Sequence, residues 1–333
     1  MLKWNKRGLI FEPTDHVLPL GCKEFAQAPQ ALVMADRVRV YFSTRYLESD
    51  SGKYLSHIAY VDFSKDMSSI LGVSQRAVID LGNVGTFDEH GVFPMHVRRV
   101  GDMVYGYVCG ANRRKSVPVD SAIGLAVSHD SGETFQRIGP GPVLAASLHE
   151  PCLVADGFVL KINEQYRMWY IFGSGWQQSA AGVQPERVYK IATAISADGV
   201  SWTERTGKSI IAPVLGDDEC QAMPTVIQFN GKWHMFFCFR HANGFRDDVS
   251  RSYRIGYAYS DDAVNWTRED SSGGLTRSES GWDSQMMCYP HVFECNGRVF
   301  ILYNGNAFGR GGFGLAELET YDGKPYKTTI MDI

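Results

Sequence analysis

Short apolar runs separated by polar turns recur along the whole chain, and the stretch from Asp217 to Trp266 shows the pattern most clearly. An apolar run, TVIQF, follows Pro224, turns at Asn230-Gly231 and continues as a second run, KWHMFFCF. A third run, RIGYAYS, follows a charged loop and ends at the polar turn DDAVNW. Runs of about four to eight β-branched and aromatic residues bounded by Asn, Gly and Asp are typical of strands, and Asn-Gly favours a hairpin. The stretch therefore predicts an antiparallel sheet of about four short strands.

The same order of runs recurs along the chain, and each unit opens with a proline. The prolines are 65, 57, 73 and 66 residues apart, and they are Pro29, Pro94, Pro151, Pro224 and Pro290. A row of β-sandwiches has a similar period, but no Pro/Ser-rich linker separates these units. We therefore predict one domain over residues 1–333, an all-β fold that is a five-bladed β-propeller of four-stranded antiparallel blades.

Both ends of the chain are expected to close the ring. The segment Lys3 to Phe11 ends in the apolar residues GLIF and is expected to add a strand to the last blade, because an unclosed ring would expose unpaired strand edges. One more candidate strand lies near Lys327 to Met331. Helical periodicity is weak throughout, so almost no long helix is expected.

Composition narrows the class of protein. The net charge is −4 with mixed signs and no basic block, which excludes the electrostatic footprint of a nucleic-acid binder. The seven cysteines are odd in number and contain no CxxC pair, so they are expected to be reduced thiols. The N-terminus lacks the apolar core of a signal peptide, and no run approaches the roughly 18 apolar residues of a membrane span. We therefore expect a cytoplasmic protein with no membrane insertion. The oligomeric state stays open.

Propeller geometry predicts that distant polar residues converge in a central funnel. First-strand starts and the loops after the second strands meet on one face of such a ring. The residues at these positions are Gln27, Asp88, Glu89, His90, His149, Glu150, Glu219, Gln221, Tyr289 and His291 at strand starts, and Arg45, Arg113, Trp176, Arg240, His241 and Asn304 in loops. Arginine forks pair with carboxylate or phosphate, and aromatic faces stack on sugars. The lining therefore suits a polyhydroxylated, anionic ligand.

Four acids are placed for catalysis in this funnel. Glycoside cleavage uses two carboxyl groups, about 5 to 5.5 Å apart for retention and about 6.5 to 9.5 Å apart for inversion of configuration. We predict that Glu150 works with Asp88 or Glu219, and Glu89 is the fourth candidate. The alternative for each acid is a structural ion pair with an arginine or hydrogen bonds to backbone amides.

The unit plan and the acid-then-proline strand starts resemble the five-bladed furanosidase superfamily, glycoside hydrolase families 32 and 43, with a weaker likeness to the mannoside phosphorylases of family 130. The resemblance spans essentially the whole chain on short motifs, including HGVFPM, which is similar to GVFSG of family 32. In that superfamily, Asp-Pro of the first blade supplies a base or nucleophile, an Asp before Pro in the third tunes it, and a Glu near Pro in the fourth is the acid. Here QAP at 27–29 lacks the first carboxylate, Glu150 precedes Pro151 in place of Asp, and Glu219 matches with a shifted register.

The resemblance implies a glycosidase-like enzyme of carbohydrate metabolism, connected with surface-polysaccharide biosynthesis, that cleaves a small, anionic or nucleotide-linked sugar by carboxylate acid/base chemistry. Two alternatives stay open. A phosphorylase or transferase would hold phosphate in place of the missing carboxylate, with Arg113, Arg114, Lys115, Arg240 or His241. A non-catalytic propeller that binds a glycan or a partner protein is permitted by Gln27.

Two further motifs have other interpretations. SHDSGETF fits the Asp-box turn of sialidases, with looser copies at Ser196 and Ser260, and such boxes brace a turn on the outer edge of a blade. We expect them to be structural. No cofactor is predicted, although His291, after Pro290, is alternatively a ligand of a central metal ion, as a fifth-blade histidine is in some family 43 members.

Overall fold

The computed structural model describes residues 1–178 and 184–328, and strands dominate this part of the chain. The strands are β1 Leu2–Phe11, β2 Glu24–Val33, β3 Val38–Glu48, β4 Lys53–Phe63, β5 Ile70–Val73, β6 Val92–Val100, β7 Met103–Asn112, β8 Asp120–Ser128, β9 Gln136–Arg137, β10 Val154–Ile162, β11 Gln165–Gln177, β12 Glu186–Ser196, β13 Glu219–Phe229, β14 Lys232–His241, β15 Arg254–Ser260, β16 Thr267–Arg268, β17 Cys288–Cys295, β18 Arg298–Asn304 and β19 Phe313–Tyr321. The helices are α1 Asn306–Gly309 and three 3₁₀ turns, Pro13–Asp15, Pro19–Gly21 and Asp270–Ser272.

The described strands form five antiparallel sheets, each built mainly from one sequence unit. Sheet I contains β2 to β5, sheet II β6 to β9, sheet III β10 to β12, sheet IV β13 to β16, and sheet V β17, β18, β19 and β1. Their first strands contact one another in the cyclic order β2, β6, β10, β13, β17 and back to β2. The prediction of an all-β, propeller-like architecture of antiparallel sheets is confirmed. Sheet III corrects the expectation of four strands in every unit, because it has three strands and an isolated bridge from Ile195 to Thr203.

The N-terminal strand joins the last sheet, as predicted. β1 pairs antiparallel with β19, from Leu2 opposite Tyr321 to Phe11 opposite Phe313. The expected strand near Lys327 to Met331 needs correction, because Thr328 forms a single bridge with Phe229 of sheet IV instead of extending the last sheet. Residues 329–331 of that prediction lie outside the described residues.

The repeated turns are held by hydrogen bonds of serine and aspartate side chains, and they precede aromatic contacts between neighbouring sheets. In the SHDSGETF turn, the Ser128 hydroxyl donates to Asp130 at 2.7 Å, and the same carboxylate accepts the backbone N–H of Thr134 at 2.9 Å. The turns at Asp198 and Asp262 are built in the same way, so the structural interpretation is confirmed.

Aromatic residues at the outer edge of each sheet then pack edge to face on a second-strand aromatic of the preceding sheet. Such pairs contribute about 0.5 to 1.5 kcal/mol beyond buried area. The ring pairs are Phe135 with Tyr41, Trp202 with Tyr107, Trp266 with Trp169, and Trp4 with Phe236.

All seven cysteines are free thiols in the structure. Among the described helices, none has the length and apolar character needed to cross a membrane.

Candidate functional site

Each first strand is interrupted by a bulge at the same level around the ring axis. The bulge dipeptides are Ala28-Pro29, Phe93-Pro94, Asp156-Gly157, Met223-Pro224 and Tyr289-Pro290. Four of their first residues have a positive φ: 52° at Ala28, 56° at Asp156, 52° at Met223 and 54° at Tyr289. A non-glycine residue in this region costs about 1 to 3 kcal/mol, and such residues cluster at functional sites. The ring of bulges is therefore a candidate location for the functional site.

The bulges correct the predicted position of the third unit. Pro151 lies before β10 begins at Val154, and the bulge of sheet III is Asp156-Gly157. With Gly157 in place of Pro151, the spacings become 65, 63, 67 and 66 residues. Asp156 therefore corresponds to the residue that precedes the proline in each of the other bulges, and it carries a carboxyl group.

A cavity of about 130 Å³ lies among these bulges, and we call it the funnel cavity. Its lining combines apolar side chains with one carboxyl, one guanidinium, three phenols, one hydroxyl and one thiol. The lining residues are Phe93, Cys109, Ala111, Val119, Ser121, Leu153, Ala155, Asp156, Ile171, Arg187, Tyr189, Ala222, Tyr253 and Tyr289. Asp156 is the only acid in this lining among the described residues. Its members come from sheets II to V.

Asp156 is the titratable centre of the funnel cavity. Burial raises the pKa of its carboxyl from 3.8 to about 7, because removal from water penalises the charged form. Two weaker influences oppose this rise: the backbone N–H of Met223 donates to Oδ2 at 3.2 Å, and the Arg187 guanidinium attracts the charged form. A carboxyl with this pKa is present in both protonation states near neutral pH, as a general acid requires.

Two arginines near the funnel cavity lack a carboxylate partner: Arg187 interacts with the Asp156 carboxyl, and Arg45 lies close to Arg187 and Tyr289. Among the described residues, neither Arg187 nor Arg45 forms a salt bridge. Burial lowers the pKa of Arg45, whose guanidinium interacts with Tyr289 and, repulsively, with Arg187. Its Cζ lies 4.8 Å from the ring centre of Phe25. Two close guanidinium groups with spare donors favour an anionic group on a ligand.

A buried hydrogen-bond chain supports the opposite wall of the cavity. Arg240 is 1% exposed, stacks 3.5 Å above the Phe245 ring, and donates to the Tyr189 hydroxyl at 2.9 Å. The Tyr189 hydroxyl lies 2.5 Å from that of Tyr253. Arg240 therefore does not contact the cavity as predicted but polarises the tyrosines that line it.

The three acids predicted as catalytic form separate ion pairs instead of a facing pair. Each is fully buried and contacts an arginine from the outer edge of its own sheet. Within the described chain, no hydrogen bond joins any two of them. We call these contacts the edge ion pairs, and they are Asp88 with Arg137, Glu150 with Arg205, Glu219 with Arg268, and, in sheet V, Asp283 with Lys6.

Local contacts fix these acids further. Glu150 also accepts from the Tyr170 hydroxyl, and Glu219 accepts from the backbone N–H groups of Val214 and Leu215 at 2.8 and 2.9 Å. The acids thus tie the loop before each first strand to the outer edge of the same sheet. This geometry matches the structural alternative stated for them above.

Replacing Glu150 by glutamine is expected to lower the free energy of unfolding by about 3 kcal/mol, because Arg205 loses its charge partner next to a buried group. Denaturant unfolding checks this value. Glu164→Gln is the matched control, since Glu164 pairs with Lys161 at the surface and its side chain is 91% exposed, and it should change stability by less than about 1 kcal/mol. Loss of turnover in Glu150→Gln at unchanged stability would restore Glu150 as a catalytic candidate.

The remaining predicted residues are placed in three ways. Tyr289 lines the funnel cavity and Arg45 lies beside it. Asn304 and Gln221 are buried and form structural hydrogen bonds. Asn304 accepts from the Ala28 N–H at 2.8 Å, and Gln221 donates to Glu219 at 2.8 Å. Gln27 donates to the Phe308 carbonyl at 2.5 Å, while its Oε1 is buried without a hydrogen-bond partner.

The other predicted residues lie in the surrounding loops. Glu89 accepts from the Gly85 N–H at 2.9 Å, and His90 accepts from the Arg113 N–H at 3.4 Å. Arg113 also donates to the Tyr54 carbonyl at 3.1 Å. Three more are exposed or half-buried and do not line the funnel cavity: His149, Trp176 and His241.

His291 lies with His96 in a cavity lined by the first strands of all five sheets, and it does not line the funnel cavity. Its ring centre is 6.2 Å from that of His96, and its Nδ1 is buried without a partner. Burial lowers the pKa of both imidazoles to about 3, so both are neutral. In the described residues, no group of three or more His, Cys, Asp or Glu side chains is placed to bind a metal ion.

Asp156, Arg187, Tyr189 and Tyr253 were missed by the sequence prediction. A signal for Asp156 exists: the segment ADGF places Asp-Gly 63 residues after Phe93-Pro94, close to the period of the other units. Glycine fits at this bulge because a Cβ at position 157 would lie only 3.1 Å from Ile123 and 3.2 Å from Met168. The other three have no such signal.

Solved structures with the same fold include carbohydrate enzymes. A glycoside hydrolase aligns with a TM-score of 0.72 at 16% identity, covering 96% of this chain and 93% of its own. A thermostable family-43 glycoside hydrolase gives 0.64 at 15%, covering 92% and 94%. The β-1,2-mannobiose phosphorylase from Listeria innocua, complexed with β-1,2-mannobiose, gives 0.63 at 13%, covering 95% and 96%. The resemblance to the propeller glycosidase superfamily is therefore confirmed at the level of the fold.

Relatives in sequence show the family. No protein-family model matches the chain. Uncharacterized protein Rv1502 from Mycobacterium tuberculosis (strain ATCC 25618 / H37Rv) is 32% identical over 319 residues, which cover 96% of this chain and 100% of the relative. Uncharacterized protein MT1551 from strain CDC 1551 / Oshkosh matches to the same extent. The chain therefore belongs to the same protein family as Rv1502 and MT1551 of M. tuberculosis.

Proposed function

We propose that the chain is a single five-bladed propeller domain and a glycosidase-like enzyme that cleaves the glycosidic bond of a small anionic sugar in the funnel cavity. Asp156 is the acid in this proposal, in place of Glu150, Asp88 and Glu219. The observation that carries it is the burial of this carboxyl at a bulge with a positive φ, where its pKa rises to about 7. The fold shared with glycoside hydrolases and a mannobiose phosphorylase supports the class of reaction.

The chemistry follows from the contacts of Asp156. In its protonated form, the carboxyl donates its proton to the glycosidic oxygen while the bond from the anomeric carbon to that oxygen breaks. An oxygen of water, which then releases a proton to solvent, or of bound phosphate forms the new bond to the anomeric carbon. The carboxylate left behind is stabilised by the Met223 N–H and the charge of Arg187. The Tyr253 hydroxyl, backed by Tyr189 and Arg240, supplies a hydrogen bond to the sugar from the other wall.

A phosphorylase is the second candidate, and the composition of the funnel cavity favours it over simple hydrolysis. Hydrolysis uses a second carboxyl group to activate water or to attack the sugar. Among the described lining residues, Asp156 is the only acid, and Arg187 and Arg45 lie where an anion would be held. In phosphorolysis, an oxygen of bound phosphate attacks the anomeric carbon, and the leaving oxygen takes the proton of Asp156.

To test this proposal, we would measure the release of free sugar or sugar phosphate from a panel of aryl glycosides and nucleotide sugars, with and without phosphate. Wild type is compared with Asp156→Asn and Glu150→Gln. Turnover that depends on phosphate and on Asp156 supports the phosphorylase, and turnover without phosphate supports the hydrolase. Ligand binding by calorimetry with no turnover on any substrate would leave a binding propeller and overturn the enzyme proposal.

Arg187→Gln is expected to weaken binding of the anionic ligand about 10- to 100-fold, because a hydrogen bond to a charged group contributes about 1.5 to 3 kcal/mol. Calorimetry with a substrate identified in the panel measures the change. Arg76→Gln is the control, since Arg76 is exposed and lies in the loop after β5, away from the cavity lining. Equal affinity in wild type and Arg187→Gln would show that the anionic group is held elsewhere.

A further inference from the structure

A second cavity, of about 340 Å³, lies between sheets IV and V, and we call it the intersheet cavity. It shares no lining residue with the funnel cavity. Its walls come from the ends of β14 and β15, the segment after β16, and the residue before β17. The lining residues are Phe239, Arg254, Ile255, Asp270, Ser271, Leu275, Thr276, Arg277 and Met287.

Two arginines in this lining are fixed by backbone carbonyl groups and leave other donors free. Arg277 donates through one nitrogen to the carbonyl oxygens of Val249 and Gln285, at 2.8 and 3.0 Å. Arg254 donates to the Ser250 carbonyl. Neither forms a salt bridge with any described residue. Because each guanidinium has five N–H donors, both retain donors for a bound group.

The nearby acids do not neutralise this pair. Asp270 accepts from Arg268 Nε at 3.1 and 3.0 Å and from the Tyr257 N–H at 3.0 Å, and Glu219 is held by Arg268. Burial first, and then repulsion from Arg277, lower the pKa of Arg254, although Glu219 and Asp270 act against that change. The two guanidinium charges are thus close enough to repel each other, and a bound anion would relieve the repulsion.

The rest of the lining is mainly apolar, with a few polar side chains. The hydroxyl-bearing residues Ser271 and Thr276 are exposed at one part of it. The Phe239 ring, with Cζ of Arg254 5.5 Å from its centre, and the side chains of Leu275 and Met287 form an apolar part. Paired guanidinium groups and hydroxyls suit the several oxygens of a phosphate, and the apolar part suits an attached ring.

We propose that the intersheet cavity is a second binding site, for a phosphorylated small molecule. Arg254 and Arg277 bind the phosphate oxygens, Ser271 and Thr276 donate further hydrogen bonds, and the organic part packs on Phe239. The phosphate has two possible sources, free inorganic phosphate and a phosphate ester or diphosphate. The volume exceeds what a lone phosphate fills, and this favours an organic phosphate. The proposal does not depend on the reaction at the funnel cavity.

Calorimetry with three probes tests the site: uridine diphosphate, inorganic phosphate and glucuronate. We expect uridine diphosphate to bind wild type, and its dissociation constant to rise at least about 10-fold in Arg254→Gln and in Arg277→Gln. Arg76→Gln and Arg187→Gln should leave this binding unchanged. Because Arg277 also holds backbone carbonyls, the double variant Ser271→Ala/Thr276→Ala provides a milder test at two exposed positions, with an expected loss of about 2- to 10-fold.

The relative affinities of the three probes, and the variant that loses binding, decide between the remaining interpretations of the site. Tighter binding of uridine diphosphate than of inorganic phosphate supports an organic phosphate, and equal binding of the two reduces the site to a phosphate site. Binding lost in Arg187→Gln but kept in Arg254→Gln would place the probe in the funnel cavity and overturn the proposal. Stronger binding of glucuronate than of uridine diphosphate that is lost in Arg254→Gln, or no binding of any probe by folded wild type at millimolar concentration, would overturn it as well.

Discussion

Asp156→Asn is expected to reduce turnover by about 10²- to 10⁴-fold, the usual contribution of a positioned general acid. Asparagine has the same shape and keeps an oxygen that can accept from the Met223 N–H at the bulge. The substitution therefore removes the proton and little else, and KM should change much less than kcat. Steady-state kinetics on the substrate found in the panel measures both values.

The pH profile separates an acid role from a structural one. The pKa of Asp156 is raised to about 7 by burial, so wild-type turnover should fall as pH rises through about 7, when the carboxyl loses its proton. Asp36→Asn is the control, because Asp36 is a surface residue whose side chain is 64% exposed. Full activity in Asp156→Asn, or an identical pH limb in the residual activity, would show that the proton comes from another group.

The general form of the fold was predictable because prolines mark four of the five bulges. Proline after the bulged residue fits a strand whose ladder is locally broken, and it recurs at nearly constant spacing. The third unit escaped this rule since glycine takes the proline's place at Gly157, while Pro151 stands six residues earlier in the preceding loop. The acid next to that proline, Glu150, was consequently assigned the position that Asp156 holds.

The edge ion pairs show a different limit of prediction. The sequence identified three of their acids, Asp88, Glu150 and Glu219, but not Asp283. The partners lie far along the chain: Arg137 is 49 residues after Asp88, Arg205 is 55 after Glu150, and Lys6 is 277 before Asp283. Charge pairing at such separations depends on how each sheet folds back on itself. A carboxylate at a strand start was therefore indistinguishable from one that faces the axis until the strand order was known.

The side chains around Asp156 depend on long-range geometry in the same way. Arg187 and Tyr189 lie on β12, Tyr253 directly precedes β15, and Arg240 is the penultimate residue of β14. The last of these was predicted to contact the ligand but lies behind the tyrosines, because it is buried under Phe245. Alternation along a strand predicts which residues are buried, but it does not predict which neighbouring sheet they meet.

The free energy of unfolding should also depend on pH through the ionisation of Asp156. In the unfolded chain the carboxyl ionises near 3.8, and in the folded chain near 7. Between these values the unfolded state releases the proton first, so this group makes the folded state less stable as pH rises. At about 1.4 kcal/mol for each pKa unit, the full loss is about 4 kcal/mol, of which about 3 kcal/mol falls between pH 5 and pH 8.

Denaturant unfolding of wild type and Asp156→Asn at pH 5, 6, 7 and 8 measures this term directly. All other groups titrate alike in both proteins, so the difference between the two curves isolates Asp156. The variant should gain about 3 kcal/mol relative to wild type between pH 5 and pH 8.

Asp130→Asn is the opposite control: hydrogen bonds in its turn hold the pKa of Asp130 at about 2, so its stabilisation is fully present above pH 4 and is lost only in acid. That variant should be destabilised by a constant amount from pH 5 to pH 8. If the Asp156→Asn and wild-type curves run parallel too, Asp156 ionises near its ordinary pKa and has no proton to donate at neutral pH, whatever its position in the cavity.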